Sequence, residues 1–469
     1  MSPTVSDRYL IEREALRQLV SHQPPPVTDH MDMPLATADA YASAAYEAMF
    51  VATDRTLDVM DALLASAHQH SLKTYPNDRT YWAGCHAKAS VLPVDGPLIF
   101  LTGPAGVGKS ALLIRLASVL QQMEPKVKTS MYGDMPFVHA WYFQAGTRHS
   151  EAMFFSALNR YAQVCAERRV AEEASSESYG AALELAVDDQ TRTLKRKGVS
   201  VLIENCRRLA FRDSVSICMV DELQFLTQSS AANALLASFL LHLKGLGIPV
   251  VFAANYSAGH RILRRNHEDQ DRIFERSPLV LLPDSPDSKG WEDVVRGYMD
   301  VLPGAFSMGT DELKDSLHRF SGGLMRYLGR LIRLAYKRAR LSGGLISRQL
   351  LAETFSSSDF EYERRKVTEF LQIGSGVSTS RTDMVCPFEL PESEQLAQRK
   401  VSHDARVEEV AAVLARQQLT PQERDTSDAL QAAARGKPAQ RSARVRPIRS
   451  SPNDMSLAEL RAAEERRKK

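Results

Sequence analysis

The segment GPAGVGKS, residues 103–110, most constrains how this chain can fold. The apolar run PLIFLT precedes it, and the amphipathic run ALLIRLASVL follows it. Its glycines allow backbone N–H groups to turn inward around a phosphate chain, and the dipole of a following helix favours the same anion. The pattern therefore predicts a strand, a phosphate-binding loop and a helix, in that order.

The same loop supplies side chains suited to a nucleoside triphosphate. We expect Lys109 to bind the terminal phosphates and the Ser110 hydroxyl to hold Mg²⁺. ATP and Mg²⁺ are therefore the expected cofactors. The residues predicted to contact the nucleotide are Gly103, Pro104, Ala105, Gly106, Val107, Gly108, Lys109, Ser110 and Ala111.

Apolar strand candidates alternate with helical patterns across the middle of the chain. The strand candidates are residues 97–102, 137–144, 216–222, 249–255 and 278–283. Strands separated by helices predict an α/β fold with a parallel, doubly wound sheet, in which ligands bind at the carboxyl ends of the strands. Beyond Pro283 only amphipathic helical patterns follow, which predicts a small helical lid.

A chain of 469 residues is too long for a single hydrophobic core. We expect a division into five parts. They are a disordered leader (1–32), a helical N-terminal segment (33–94), a P-loop core (95–283), a helical lid (284–358) and a mostly disordered tail with a short terminal helix (359–469). The helical N-terminal segment is expected to touch the core or a partner.

Composition excludes several classes of protein. No apolar run approaches the ~18 residues of a membrane span, and no signal-peptide pattern opens the chain, so a cytoplasmic protein without membrane contact is expected. The five cysteines lack C-x-x-C spacing, which argues against a disulfide framework or a zinc site. The net charge is only +2, but Arg and Lys cluster at 261–276, 326–340 and 435–449, so any nucleic-acid surface would be local.

Polar side chains end two of the strand candidates. Asp221 and Glu222 follow one apolar run, where Asp221 can reach Mg²⁺ through water and Glu222 can act as general base for the attacking water. Asn255 ends another run and can orient that water or the terminal phosphate. The alternatives are that the two carboxylates merely begin a surface loop and that Asn255 caps a turn.

This combination resembles the AAA+ ATPases, which join a Walker A loop, a DE-type Walker B strand, a polar sensor strand and a helical lid. The resemblance implies an arginine that reaches the nucleotide of a neighbouring subunit, for which Arg276 is preferred over Arg272. It also implies a lid arginine that reads the nucleotide of its own subunit, for which Arg326 is preferred over Arg330. For the first pair, a solvated cation at a helix end is the alternative.

Within that superfamily, the chain looks like the transposition regulators of the TnsC and TniB type, which are related to the phage Mu B protein. The similarity covers about residues 95–340 and rests on Glu222-Leu223-Gln224 and Gly247-Ile248-Pro249; Asn255 stands where that family usually has Thr. It implies an ATPase that binds double-stranded target DNA as a homo-oligomeric ring, spiral or filament. It also implies that the ATPase works with a transposase and target-selector proteins.

The residues leave the DNA contact and the cellular role open. Arg148 and His149 lie in a loop that either contacts DNA or is an ordinary strand-to-helix turn. The basic run at 435–449 is either a disordered linker or a contact with DNA or a partner, and the terminal helix would dock a transposase. The alternative functions are a replication initiator or helicase loader, and a nucleotide-gated switch without DNA.

Overall fold

The computed structural model describes residues 7–87, 90–122, 126–129, 133–136, 140–144, 150–172, 198–221, 230–373, 384–392 and 394–395. The strands are β1 (Leu98–Gly103), β2 (Lys126–Thr129), β3 (Gly133–Pro136), β4 (Trp141–Gln144), β5 (Cys218–Asp221), β6 (Val250–Asn255) and β7 (Leu279–Val280). Strands β2 and β3 form a separate antiparallel hairpin, which the sequence patterns did not predict.

The other strands form one five-stranded sheet in the order β4-β5-β6-β1-β7, and every neighbouring pair is parallel. This is the parallel, doubly wound sheet of an α/β fold that the sequence predicts, so the expected fold class is confirmed. The register pairs Gly103 with Asn255 and Gln144 with Asp221. The carboxyl ends of these strands therefore meet at one edge of the sheet, where the phosphate loop begins.

Helices lie between the strands in the chain, and further helices come before the first strand and after the last one. The front helices are α1 (Arg13–Val20), α2 (Leu35–Ala48), α3 (Asp54–Thr74) and α4 (Asp78–Cys85). The core helices are α5 (Lys109–Gln122), α6 (Glu151–Glu172), α7 (Val199–Arg212), α8 (Ser230–Lys244), α9 (Tyr256–Ile262) and α10 (His267–Ile273). The lid helices are α11 (Lys289–Asp300), α12 (Thr310–Ser321), α13 (Met325–Ser342), α14 (Arg348–Ser356) and α15 (Glu361–Ile373).

Strand β1 divides the hydrophobic core between the two faces of the sheet. Because side chains alternate along a strand, Ile99 and Leu101 join the apolar cluster that holds α1, α2, α3, α5 and the lid. Leu98 and Phe100 join the cluster on the opposite face, with α6, α7 and α8. Burial on both faces explains why this strand is an unbroken apolar run in the sequence.

The leader predicted to be disordered is packed against the core over its described part. Leu16 and Val20, four residues apart on α1, are completely buried, and Arg8 Nη1 donates to Ser214 Oγ at 3.0 Å. The Glu12 carboxylate caps the first turn of α1. Polar composition and the run SHQPPP predict a disordered leader, although the apolar positions of α1 follow a helical period.

Helices also occupy a turn-rich stretch of the N-terminal segment and extend past one predicted limit. Helix α4 occupies the turn-rich KTYPNDRTYWAG stretch, where the Asn77 side chain caps its first turn. Helix α15 lies beyond the predicted lid boundary at residue 358. Residues 396–469, which include most of the predicted tail and its terminal helix, lie outside the described residues, whereas the described part of that tail contains α15. None of the described helices is long and apolar enough to span a membrane.

Candidate nucleotide site

The phosphate loop connects the end of β1 to the start of α5. Gly106 has φ of 89° and Gly108 has φ of 110°, a backbone region that favours glycine. A Cβ atom on Gly106 would also lie 3.0 Å from the Cβ atom of Arg326 in the lid. Glycine at 106 is therefore required both by the turn of the loop and by the close approach of α13.

Lys109 is the buried cation of the site, with only 8% of its surface exposed. Its Nζ donates hydrogen bonds to Gly103 O at 2.9 Å, Pro104 O at 3.1 Å and Asn255 Oδ1 at 2.9 Å. Burial lowers the pKa of Lys109 to about 7; the negative charge of Asp221 opposes this shift and Arg326 adds to it. The ammonium group is thus held by the loop and by the predicted sensor strand.

Asp221, one of the two residues predicted for the metal, ends β5 and is buried. The Tyr142 hydroxyl donates to its Oδ2 at 3.3 Å, which fixes the carboxylate at the edge of the sheet. Ser110, the other predicted metal residue, and Asp221 both line a cavity next to the phosphate loop. A carboxylate and a hydroxyl are hard oxygen donors, so these residues fit Mg²⁺. Glu222, the predicted general base, lies outside the described residues.

Asn255 lies at the junction of β6 and α9, beside the phosphate loop. The parallel register places it opposite Gly103, and its amide oxygen accepts the hydrogen bond from Lys109. Tyr256, the next residue, begins α9. Where the TnsC and TniB type usually has Thr, this chain therefore has an amide that reaches the lysine of the loop. Its predicted role toward water or phosphate stays a prediction.

The lid reaches the phosphate loop through Arg326. Its backbone N–H donates to Gly106 O at 3.2 Å, and its side chain lines the cavity. Arg330, one turn further along α13, also lines the cavity, but its Nε lies 3.7 Å from Glu363 Oε1 on α15. Arg326 therefore lies closer to the loop than Arg330 along the lid helix, as its predicted role requires.

The two candidates for the arginine that acts across subunits lie elsewhere. Arg276 Nη1 donates to Ser66 Oγ on α3 at 3.0 Å. Arg272 is exposed and pairs with Glu268 at 2.9 Å, one turn away on α10. Neither arginine is among the described residues that line the cavity. A role toward a neighbouring subunit stays a prediction for both.

The cavity has a volume of about 780 Å³ and extends well beyond the loop. Helix α2 contributes a wall, and so does α15. The residues of this wider lining that the sequence did not suggest include Ser43, Tyr46, Glu47, Tyr298, Tyr362 and Lys366. Apolar periodicity predicts α2 as a helix, but only the tertiary fold shows that it covers the nucleotide cavity.

The basic cluster at 326–340 is largely engaged within the chain. Asp39 on α2 accepts an ion pair from Arg333 at 3.1 Å and another from Lys337 at 2.9 Å. Arg338 pairs with Asp359 at 3.2 Å, and Arg340 donates to backbone carbonyls before α2. This cluster therefore holds the front helices to the lid and offers little free charge to a nucleic acid.

Comparisons with known proteins give similarity at the level of the fold alone. No family model matches it. No curated protein matches it. Its fold is similar to domain III of the replication initiation protein DnaA of Thermotoga maritima, with 15% identity over 59% of this chain and 90% of that chain and a TM-score of 0.32.

Two further solved structures show the same level of similarity. The Aeropyrum pernix Orc1 protein in complex with DNA has 15% identity over 85% of each chain and a TM-score of 0.35. AMPPCP-bound DnaA of Aquifex aeolicus has 12% identity over 79% of this chain and 96% of that chain, also with a TM-score of 0.35. The fold class rests on the strand order and lid of this chain itself.

Proposed function

We propose that this protein is an ATP-dependent, DNA-binding AAA+ ATPase that oligomerises on target DNA and regulates or recruits a transposase. One observation carries the ATPase part of the proposal. The buried Lys109 ammonium lies in a glycine loop, bonded to Asn255 of the neighbouring strand, while Arg326 of the lid contacts the same loop. These groups would supply a phosphate cradle, a polar sensor and a lid cation.

Binding uses the loop and the edge of the sheet. The backbone N–H groups of the loop and Lys109 would hold the phosphate chain, whose charge replaces the carbonyl and amide oxygens that Lys109 now contacts. Ser110 would hold Mg²⁺ directly and Asp221 through water. The metal, when bound, would neutralise negative charge on the phosphate oxygens.

Hydrolysis requires a base and a group that positions water. Glu222 follows Asp221 directly in the chain, and we propose that it accepts the proton of the attacking water. Asn255 would orient that water or the terminal phosphate from the adjoining strand. Arg326, which is on the lid, interacts more strongly with a triphosphate than with a diphosphate, so hydrolysis would change the position of the lid.

The assembly part of the proposal rests on Arg276, with Arg272 as the alternative. An arginine that completes the site of a neighbouring subunit makes hydrolysis depend on the oligomer, and makes the oligomer depend on the nucleotide. DNA binding without sequence preference needs only Lys and Arg contacts to phosphates. The transposase and target selector as partners follow from the sequence similarity over about residues 95–340.

Part of that similarity has a structural reason in this chain. Gly247, before the strand that carries Asn255, has φ of 74°, and a Cβ atom there would lie 2.2 Å from Pro93 O. Glycine is therefore needed where the chain turns into β6. The positive φ and the close packing explain why a glycine stands at the first position of Gly247-Ile248-Pro249. They do not bear on the transposition role, which needs a direct test.

The test is the rate of ATP hydrolysis with and without duplex DNA. We expect duplex DNA to raise the rate and added salt to reduce that stimulation steeply, because phosphate contacts release counterions. A hydrolysis rate that DNA does not change at low salt would contradict the proposal and favour the switch without DNA. A protein that binds no ATP would contradict the nucleotide site itself.

A further inference from the structure

Residues 384–392 and 394–395, here called the strap, follow the lid in the chain but pack on the core. Met384, the first of them, lines the nucleotide cavity together with Asn255 and Tyr256. The chain thus returns from the lid to the mouth of the cavity. Any ligand that fills this part of the cavity meets the strap as well as the sensor strand.

The strap is bound to α9, the helix that follows Asn255. His260 Nε2 donates to Val385 O at 2.9 Å, and Tyr256 makes a side-chain hydrogen bond with Cys386. Gly259 of the same helix faces the strap so closely that a Cβ atom there would lie 2.8 Å from Pro387 Cγ. Helix α9 therefore holds the strap by polar contacts and by close packing.

Phe388 is the apolar anchor of the strap. Its ring lies 5.8 Å from the ring of Phe100 and 5.3 Å from the ring of Phe274, both edge to face. Phe100 is part of β1, which leads directly into the phosphate loop. The strap thus touches two elements that carry the nucleotide site, the loop strand and the sensor helix.

The far end of the strap is anchored at the start of the lid. Glu394 Oε2 accepts from Arg55 Nη2 on α3 at 2.7 Å. The same guanidinium has its Nε 4.0 Å from Asp284 Oδ1, just before the first lid helix. The contacts of the strap therefore extend from the sensor helix to the start of the lid.

We propose that the strap is a nucleotide-sensitive connection, whose docking on α9 is weakened by a bound triphosphate and restored with a diphosphate. The proposal rests on the nucleotide site proposed above. A terminal phosphate competes for the Lys109 ammonium that now donates to Asn255, and Asn255 immediately precedes α9. A change at this side chain is transmitted to α9, and from α9 to the segment it holds, which leads into residues 396–469.

Coupling of this kind is reciprocal. If a bound triphosphate weakens docking of the strap, then a docked strap lowers the affinity for the triphosphate. A strap with a weakened anchor lowers that affinity less. Removal of the Phe388 ring should therefore raise affinity for a triphosphate. A diphosphate lacks the group that competes for Lys109 and Asn255, so its affinity should stay unchanged.

The test uses the full chain with Phe388→Ala and the matched control Glu389→Ala, an exposed neighbour in the strap. Calorimetry gives the Kd for a non-hydrolysable ATP analogue and for ADP, each with Mg²⁺. Phe388→Ala should bind the ATP analogue about fivefold more tightly than the wild type. Its Kd for ADP, and both Kd values of Glu389→Ala, should match the wild type. Misfolding weakens binding, so a gain in affinity cannot be its result.

Hydrogen exchange on the wild type gives an independent measurement. Amides of the strap should exchange faster with the ATP analogue bound than with ADP bound. Equal or slower exchange with the analogue, or a Phe388→Ala variant that folds and shows the wild-type Kd for the analogue, would overturn the proposed connection while leaving the nucleotide site intact. A wild type that binds neither nucleotide would overturn the proposed function and this inference with it.

Discussion

At the scale of single residues, the site depends on a lysine that the protein keeps out of water. Lys109 donates three hydrogen bonds within the loop and to Asn255, yet its burial holds its pKa near 7. Triphosphate oxygens favour the charged ammonium. The protonation of Lys109 and the binding of a nucleotide are therefore linked.

This linkage predicts proton uptake on binding. Since Lys109 has a pKa of about 7 before binding and a raised one beside the phosphates, affinity should be highest below pH 7 and fall as the pH rises from 7 toward 9. The decrease should approach about tenfold per pH unit. Calorimetry in two buffers of different ionisation enthalpy measures the protons taken up. Binding without proton uptake at pH 8 would contradict the linkage, and Lys109→Ala should bind no nucleotide.

Glu222 carries the prediction about chemistry. Glu222→Gln should bind ATP with wild-type affinity but hydrolyse it about 100-fold more slowly, because the amide cannot take a proton from water. Complexes of this variant with DNA should persist after ATP is added. Single-turnover hydrolysis and nucleotide affinity are the measurements, with Glu268→Gln as an exposed control. Normal turnover in Glu222→Gln would exclude this residue as the base.

At the scale of elements, the front helices and the lid form one unit around the cavity. Asp39 of α2, 13% exposed at its side chain, bridges Arg333 and Lys337 of α13. Burial by itself raises the pKa of Asp39, but the hydrogen bonds from these two cations leave it below its usual value. Stability from this pair is therefore present above about pH 4 and lost as the pH falls through the lowered pKa.

Asp39→Asn should accordingly reduce the free energy of unfolding by about 2 kcal/mol at pH 7. The control is Glu268→Gln, which breaks the exposed pair with Arg272 and should cost less than about 0.5 kcal/mol. Urea denaturation measures both. The loss for Asp39→Asn should shrink as the pH falls from about 4 through the lowered pKa of Asp39, where the wild-type carboxylate becomes protonated. An equal, small loss in the two variants would show that the bridge does not hold α2 to the lid.

Some of the helices and strands can be predicted from the sequence, and others cannot. The apolar runs around residues 97–102 and 249–255 predict β1 and β6, and the parallel direction of these strands follows from the alternation with helices. Helix α1 was missed because the polar composition and the following SHQPPP run indicate a disordered leader, although Leu16 and Val20 follow a helical period. The lining of the cavity by α2 was also missed, since it depends on contacts between elements far apart in the chain. The roles of the site residues, which are inferred from chemistry, stay predictions.

At the scale of the whole molecule, Arg276 allows a test of the proposal that the active site is shared between subunits. An Arg276→Ala protein mixed with a Lys109→Ala protein should regain hydrolysis that neither shows alone, because each supplies what the other lacks. Arg276 also donates to Ser66 of its own chain, so Ser66→Ala is the matched control for that contact. If Ser66→Ala loses hydrolysis as Arg276→Ala does and mixing restores nothing, the arginine is structural.

The central claim is that a triphosphate bound in the glycine loop joins copies of this protein on DNA. Electron microscopy of the full chain with duplex DNA and a non-hydrolysable ATP analogue tests it most directly. We predict ordered rings, spirals or filaments along the duplex with the analogue, and their loss with ADP or in Lys109→Ala. Single particles of one subunit at saturating analogue and DNA would contradict the claim.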